Sequence, residues 1–580
     1  TCFSLIFGGK ADRFLAAAPF GICSTYIIYG KMESVNEITD FWMKAGKKML
    51  DLLIRDATIV DGTGKPAYQG SVGCRQGKLH LLPRQTEATA QRVIDGRGLT
   101  VAPGFIDAHS HGDIPLGKPF STLSKVSQGI TTEIGGQCGF SLFPVNPETL
   151  PLLRQDLAIF TDELPEEAAG FRSFGDFLAY ARRQPLGTNL KMLVGHVTLR
   201  IAVMGFAHRR PTPEEMEQMK TLLRQAMEQG ALGLSSGLIY IPGVYADTQE
   251  LTELCRVVAE YGGIYATHMR NESKDVVQAV KEAIAVAEGA GVPLQISHHK
   301  VCGKPYWGLS RQTLRLVEEA EARGVTITID QYPYDACMTH LNVCVPPAFF
   351  AQPGGLMAAL EDPAARQEIR RQMEDSDEYD NYYRNCGGFG GIFLSRSPQM
   401  PEAEGKTILQ LAEERGEDPF DTFFAILRAN QGVASAIYFC MGEEDIFPIL
   451  LHKDTVVGTD GILRSLEERA HPRGFGSFPR ALRWFVKEKK LLTLEQMIHK
   501  MTGLPAQRLF LQNKGRIEEG LDADLAVFDW PVLQDTSDYI HSNTVARGME
   551  YVVVAGQVVY EKGRLTGAAP GRILLHRRDG

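Results

Sequence analysis

Short runs rich in β-branched and other apolar residues recur eight times through the middle of this chain, at 101–106, 131–134, 190–194, 231–234, 264–266, 294–296, 325–329 and 456–457. Helical patterns lie between several of them. The stretch PTPEEMEQMKTLLRQAMEQG (211–230) opens on proline and acidic residues and stops on glycine, which are helix start and stop signals. SKDVVQAVKEAIAVAEGAG (273–291) ends in the same way. Eight strands alternating with helices predict an α/β protein built on a (β/α)8 TIM-type barrel, whose chemistry gathers at the C-terminal ends of the strands.

The flanks have a different texture. DLLIRDATIVDGTG, GSVGCRQGKLHLL and QRVIDGRGLTVAPGF on one side, and RIEEGLDADLAVFDW and YVVVAGQVVYEKGRL on the other, are short apolar alternations broken by Asp-Gly and Gly turns. They predict a small composite β-sandwich from both termini, residues 51–100 with 510–575, around a barrel at 101–509. Residues 1–49 are irregular and read as a non-native or disordered extension. About 120 residues separate the seventh strand from the eighth, and a connection that long must have structure of its own. An inserted lid is expected at about 336–445, with the charged stretch 363–380 contributing a helix.

Composition excludes several function classes. A net charge of −9 argues against a nucleic-acid partner held by phosphate contacts. No run of about 18 apolar residues is present, so no membrane-spanning helix is expected. The ten cysteines follow no regular framework, which fits a reducing, cytoplasmic setting better than a disulfide scaffold.

The chemistry concentrates where predicted strands end. TVAPGFIDAHSHGD (100–113) carries His109 and His111 at i and i+2, on one face of a strand, where two imidazoles can hold one divalent cation. The second strand leads to GGQCGF with Cys138, the fifth ends in THMRNE with His268, the sixth in SHHK with His298 and the eighth in GTDG with Asp460. Alone, each has a bland reading: a small buried hydrophobe for Cys138, a satisfied structural histidine, a turn aspartate. All of them at strand C-termini converge on one pocket in a barrel and read jointly as a metal site.

This set of motifs resembles the amidohydrolase superfamily, and GGQCG with SHHK resembles its D-aminoacylase (N-acyl-D-amino-acid deacylase) family, over nearly all of 51–575. The resemblance implies a barrel with a composite sandwich and a lid, and zinc-dependent hydrolysis of a linear amide. It places Cys138, His268 and His298 on a tightly bound zinc, with His109 and His111 toward a possible second metal. Asp460 becomes the acid–base residue between metal and water. The alternative is another amidohydrolase acting on dipeptides or cyclic amides (dihydropyrimidinase-like), and the fourth strand, GALGLSSGLIY, argues against it because it lacks the lysine that many binuclear relatives carboxylate. Retention of all six donor residues disfavours a non-catalytic interaction protein.

A small-molecule N-acyl amino acid also presents an α-carboxylate. Lys300, Tyr332 and Arg473 match the family's carboxylate clamp. Cys337 stands where the family usually has serine, which is expected to weaken one hydrogen bond to that carboxylate. His196 and Arg200 in GHVTLR match a family stretch and are expected to line the pocket. The D preference comes from the resemblance alone.

Overall fold

The computed structural model describes residues 49–576 apart from Pro353. The expected extension at 1–49 lies, Met49 aside, outside them. The eight barrel strands are Phe105–Asp107, Ile130–Gly135, Asn189–Met192 continued by Val194–Gly195, Gly233–Gly237, Ile264–His268, Leu294–Ile296, Ile327–Gln331 and Thr455–Val457. Neighbours pair in parallel throughout. The last returns to the first: Ala108 N donates to Val457 O at 3.4 Å, and Ser110 bridges Gly461. The strands are buried on both faces, so they read as apolar runs without alternation.

The two helices expected from sequence form at Pro213–Glu228 and Val276–Ala290. In the first, Thr212 accepts from Glu215 N while Glu215 reaches back to the Thr212 N–H, closing a capping box with Pro213 in the first turn. The second stops on Gly291, whose φ of 70° only glycine adopts without strain.

One expected element is corrected. The run 101–106 is two strands serving two sheets, Thr100–Pro103 in the terminal sheet and Phe105–Asp107 in the barrel. The break falls at Gly104, where a Cβ would stand 2.1 Å from Thr131 Oγ1. Both pieces are buried, so hydrophobicity continues across a change of partner.

Both ends of the described chain meet in one nine-stranded sheet. Thr100–Pro103 lies between Leu50–Ile59 and the C-terminal strand Leu525–Phe528. The turn at Ala555-Gly556 has both residues at positive φ, 46° and 79°, the two-residue type that suits twisted hairpins.

Between the seventh and eighth barrel strands the chain builds the lid. Its sheet has Ser435–Phe439 in the middle, antiparallel to Ala336–His340 and Ile392–Arg396. Helices Pro363–Asp375, Ile408–Arg415 and Pro419–Ala429 pack around an aromatic core that includes Tyr382, Phe389, Phe420 and Phe423. This insertion stands over the C-terminal ends of the barrel strands, since Cys337, Met338, Thr339, His340 and Tyr382 line the same cavity as His111, Cys138, His268 and Asp460. That cavity shares Tyr240, His340 and Tyr382 with a larger one of about 1130 Å³, bounded by barrel loops and lid.

Candidate metal centre and active site

Each candidate ligand sits at or just beyond the C-terminal end of its strand. Donor atoms of His109, His111, Cys138 and Asp460 all lie within 4.8 Å of one another, and so do those of Cys138, His268 and His298. Cys138 belongs to both groups. Its Sγ is 3.2 Å from His109 Nε2 and 3.3 Å from His298 Nε2. Asp460 Oδ1 lies 3.2 Å from His111 Nε2 and 3.5 Å from His109 Nε2. All six side chains are buried.

The backbone is bent to achieve this. Cys138, His298 and Asp460 have φ of 55°, 35° and 48°, a region that costs a non-glycine residue about 1–3 kcal/mol. Hydrogen bonds hold two of them in place: His298 N donates to Asp330 Oδ1 at 2.8 Å, and Asp460 N to His109 O at 2.8 Å. The loop before Cys138 needs Gly136, with φ of 73°, because a Cβ there would meet Leu193 O at 2.1 Å.

Sequence reading missed the residues that aim the ligands. Asp330, the fourth residue of the seventh strand, lies 3.1 Å from His109 Nδ1, accepts from His298 N and accepts from Gln295 Nε2 at 2.6 Å. Glu272 lies 3.2 Å from His298 Nδ1 and accepts from Lys300 Nζ at 2.6 Å. With Asp330 on its Nδ1, His109 turns Nε2 toward Cys138, the carboxylate–imidazole arrangement typical of metal-ligating histidine, while His298 Nδ1 lies 2.6 Å from the Lys300 Nζ that Glu272 holds and its Nε2 also faces Cys138. A carboxylate at a seventh-strand end and the final residue of THMRNE were the available signals.

These residues fit a divalent metal. His268 is buried with neither ring nitrogen hydrogen-bonded, an arrangement a ligated cation explains. Burial holds His268 and His298 well below the ordinary imidazole value, with Lys300 adding to the effect on His298, so both rings offer lone pairs. Burial pushes the Cys138 thiol up, with His109 opposing; a divalent cation supplies the charge that reverses this. Burial would raise Asp460, but Arg473 and then His298 and His109 outweigh it and hold the carboxyl well below its usual range. Asp330→Asn is expected to weaken metal binding about 10–100-fold. Chelator competition measures this, and excess metal should restore most activity.

Lys300, Tyr332, Cys337 and Arg473 line the cavity, with both cations already paired: Lys300 to Glu272, and Arg473 Nη1 to Asp460 Oδ2 at 2.7 Å. The Arg473 guanidinium lies over the Tyr332 ring, 4.7 Å from its centroid. Tyr332 Oη and Arg473 Nε are buried without hydrogen-bond partners.

His196 and Arg200 are not brought into the site. Both turn to Glu250, in the first turn of the helix Thr248–Glu260: His196 Nε2 at 2.8 Å, Arg200 Nη1 at 2.6 and 2.7 Å from its two oxygens. Neither lines the cavity. A fully buried guanidinium needs a carboxylate partner, and Glu250 meets that need away from the metal residues.

The profile of the Amidohydrolase family matches residues 92–334 and 453–560, leaving out the lid. The D-aminoacylase of Alcaligenes xylosoxydans xylosoxydans is 36% identical over 529 residues, 90% of this chain and 97% of that protein. The N-acyl-D-aspartate deacylase of the same organism is 35% identical over 525 residues, 90% of this chain and 95% of that one. The crystal structure of N-acyl-D-glutamate deacylase from Bordetella bronchiseptica, complexed with zinc and a phosphonate mimic of the reaction's tetrahedral intermediate, superposes with a TM-score of 0.75. It is 32% identical and covers 91% of this chain and all of that one. By its motifs, its fold and these likenesses, this chain belongs to the amidohydrolase family, in the D-aminoacylase branch of it.

Proposed function

We propose that this protein is a zinc-dependent N-acyl-D-amino-acid deacylase, releasing a carboxylic acid and a D-amino acid. The observation that carries the reading is a single cavity in which Cys138, His268 and His298 face Asp460 and Arg473. Zinc would be held by Cys138, His268 and His298, with His109 and His111 reaching a second position through the shared Cys138. Bound zinc supplies Lewis acidity, which polarises an amide carbonyl and makes water more acidic.

The remaining work falls to side chains. Asp460, aimed by Arg473 on Oδ2, takes the proton of the attacking water on Oδ1 and passes it to the departing amine nitrogen. Tyr332 Oη and Arg473 Nε, buried donors without hydrogen-bond partners, receive the substrate α-carboxylate, with Lys300 balancing charge behind them.

The walls favour an apolar substrate side chain. Phe140, Ile159, Phe160, Tyr240, Met338 and Ile462 line the inner cavity, whose only Lys and Arg are Lys300 and Arg473. His340 adds no charge at neutral pH, because burial and then Arg464 lower it to about 4. Within this inner cavity an acidic side chain would have no further cation to meet. With zinc present, amine release from N-acetyl-D-methionine, -leucine and -phenylalanine is expected to exceed that from the L forms and from N-acetyl-D-aspartate and -glutamate. Faster release from L substrates, or none from any, overturns the assignment; preference for the acidic pair overturns only the side-chain reading.

Among the described residues no helix is long and apolar enough to cross a membrane. The eight described cysteines are all free thiols, which supports a cytoplasmic setting.

A further inference from the structure

Three cysteines outside the proposed zinc centre touch one another. We propose that Cys302, Cys337 and Cys440 form a second, all-thiolate metal site that joins lid to barrel and takes one soft d10 cation. Their sulfurs lie within 4.8 Å of each other, with Cys337 Sγ and Cys440 Sγ at 3.9 Å. In a thiolate site with metal–sulfur bonds of about 2.3 Å, sulfurs stand about 3.8–4.0 Å apart. No residue is shared with the Cys138 groups, and Cys337 alone of the three also lines the cavity that Cys138 faces.

The three thiols come from separate segments. Cys302 follows the sixth barrel strand, and its N–H donates to Glu272 O at 2.6 Å. Cys337 is the second residue of the lid strand Ala336–His340, and Cys440 directly follows Ser435–Phe439. The Cys440 carbonyl accepts from Gly303 N at 2.7 Å and Trp307 Nε1 at 3.1 Å, so barrel loop and lid are held in register around the sulfurs. All three are at most 5% exposed. Cys386, partly exposed, sits beside Cys440.

Contacts among the three sulfurs raise the Cys302 and Cys440 thiols well above the ordinary value, so a bound cation would supply the charge that ionises them. Lys300, held by Glu272, faces Cys302 and Cys337. Contacts from Cys302 and Cys440, with Lys300 beyond them, pull the Cys337 thiol well below its ordinary value. Cys255, raised by burial alone, behaves as a small hydrophobe. A disulfide would use two of the three sulfurs and leave the third idle. The cation takes all three.

Anaerobic titration of the zinc-loaded full chain with CdCl2 tests the site. Expected is one further cadmium per chain with an ultraviolet thiolate-to-cadmium charge-transfer band. Cys302→Ser and Cys440→Ser should each lower that affinity about tenfold or more, while Cys138→Ser and Cys255→Ser keep the band. Cadmium-edge X-ray absorption on the unmodified protein should show sulfur-only coordination for this ion, which keeps the question open to measurement even where a variant fails to fold. A band that survives both Cys302→Ser and Cys440→Ser overturns the proposal. So does a band lost with Cys138→Ser, nitrogen or oxygen in the cadmium shell, or a Cys337–Cys440 disulfide in the anaerobic protein.

Discussion

Asp460→Asn is expected to lower kcat for N-acetyl-D-methionine by about 10²–10⁴-fold, the range for removing a positioned general acid–base group. The amide keeps the shape of the side chain but cannot accept and return a proton. Metal content should stay near that of the unmodified protein, because Cys138, His268 and His298 form a donor group without Asp460. Plasma emission analysis of the purified variant, beside its steady-state kinetics, separates the two effects. Turnover retained within a few-fold removes Asp460 from the proton path. Turnover lost together with metal makes it a ligand first. The Arg473 pair predicts a further detail: with the charge on Oδ2 gone, Arg473 loses its partner inside the cavity, so KM should change along with kcat.

Glu250→Ala is expected to destabilise the fold by about 3–5 kcal/mol, the usual result of leaving a buried charge unpaired. His196 and Arg200 are both fully buried, and Glu250 is the carboxylate that meets them. Denaturant midpoints measure the loss. Replacing Arg200 and Glu250 together with Met and Leu should recover a large part of it, since apolar residues of similar volume can substitute for a buried pair. Folded Glu250→Ala protein should keep its kcat, because none of the three residues lines the cavity. A fall in kcat without a fall in stability would return His196 and Arg200 to the lining role expected from sequence. The pairing also has a pH signature. Burial opposes ionisation of Glu250, but His196 and Arg200 prevail and lower it below the usual carboxylate value. A depressed acid stabilises the fold above its unfolded pKa of about 4.3, and that contribution is lost as pH falls through the lower folded value.

The strand–helix alternation was legible because a parallel barrel buries its strands on both faces and writes each as a short apolar run. The same property hid the division at Gly104, since hydrophobicity carries no mark of which sheet a strand joins. At the site, residue type and position pointed to His109, His111, Cys138, His268, His298 and Asp460, because a metal needs nitrogen, sulfur and oxygen donors where strands end. The residues that aim those donors left a fainter trace. Asp330 and Glu272 are carboxylates among 70 acidic residues, and only their contacts with imidazole nitrogens single them out.

Local chemistry therefore determined the element types, the barrel class and a set of candidate donors from sequence alone. Tertiary structure decided the partners. It sent His196 and Arg200 to Glu250, set Asp330 behind His109, and gathered Cys302, Cys337 and Cys440 where lid meets barrel. The physical reason is the same in each case: pairing free energy depends on which groups arrive together in a buried space, and those groups come from segments tens to hundreds of residues apart.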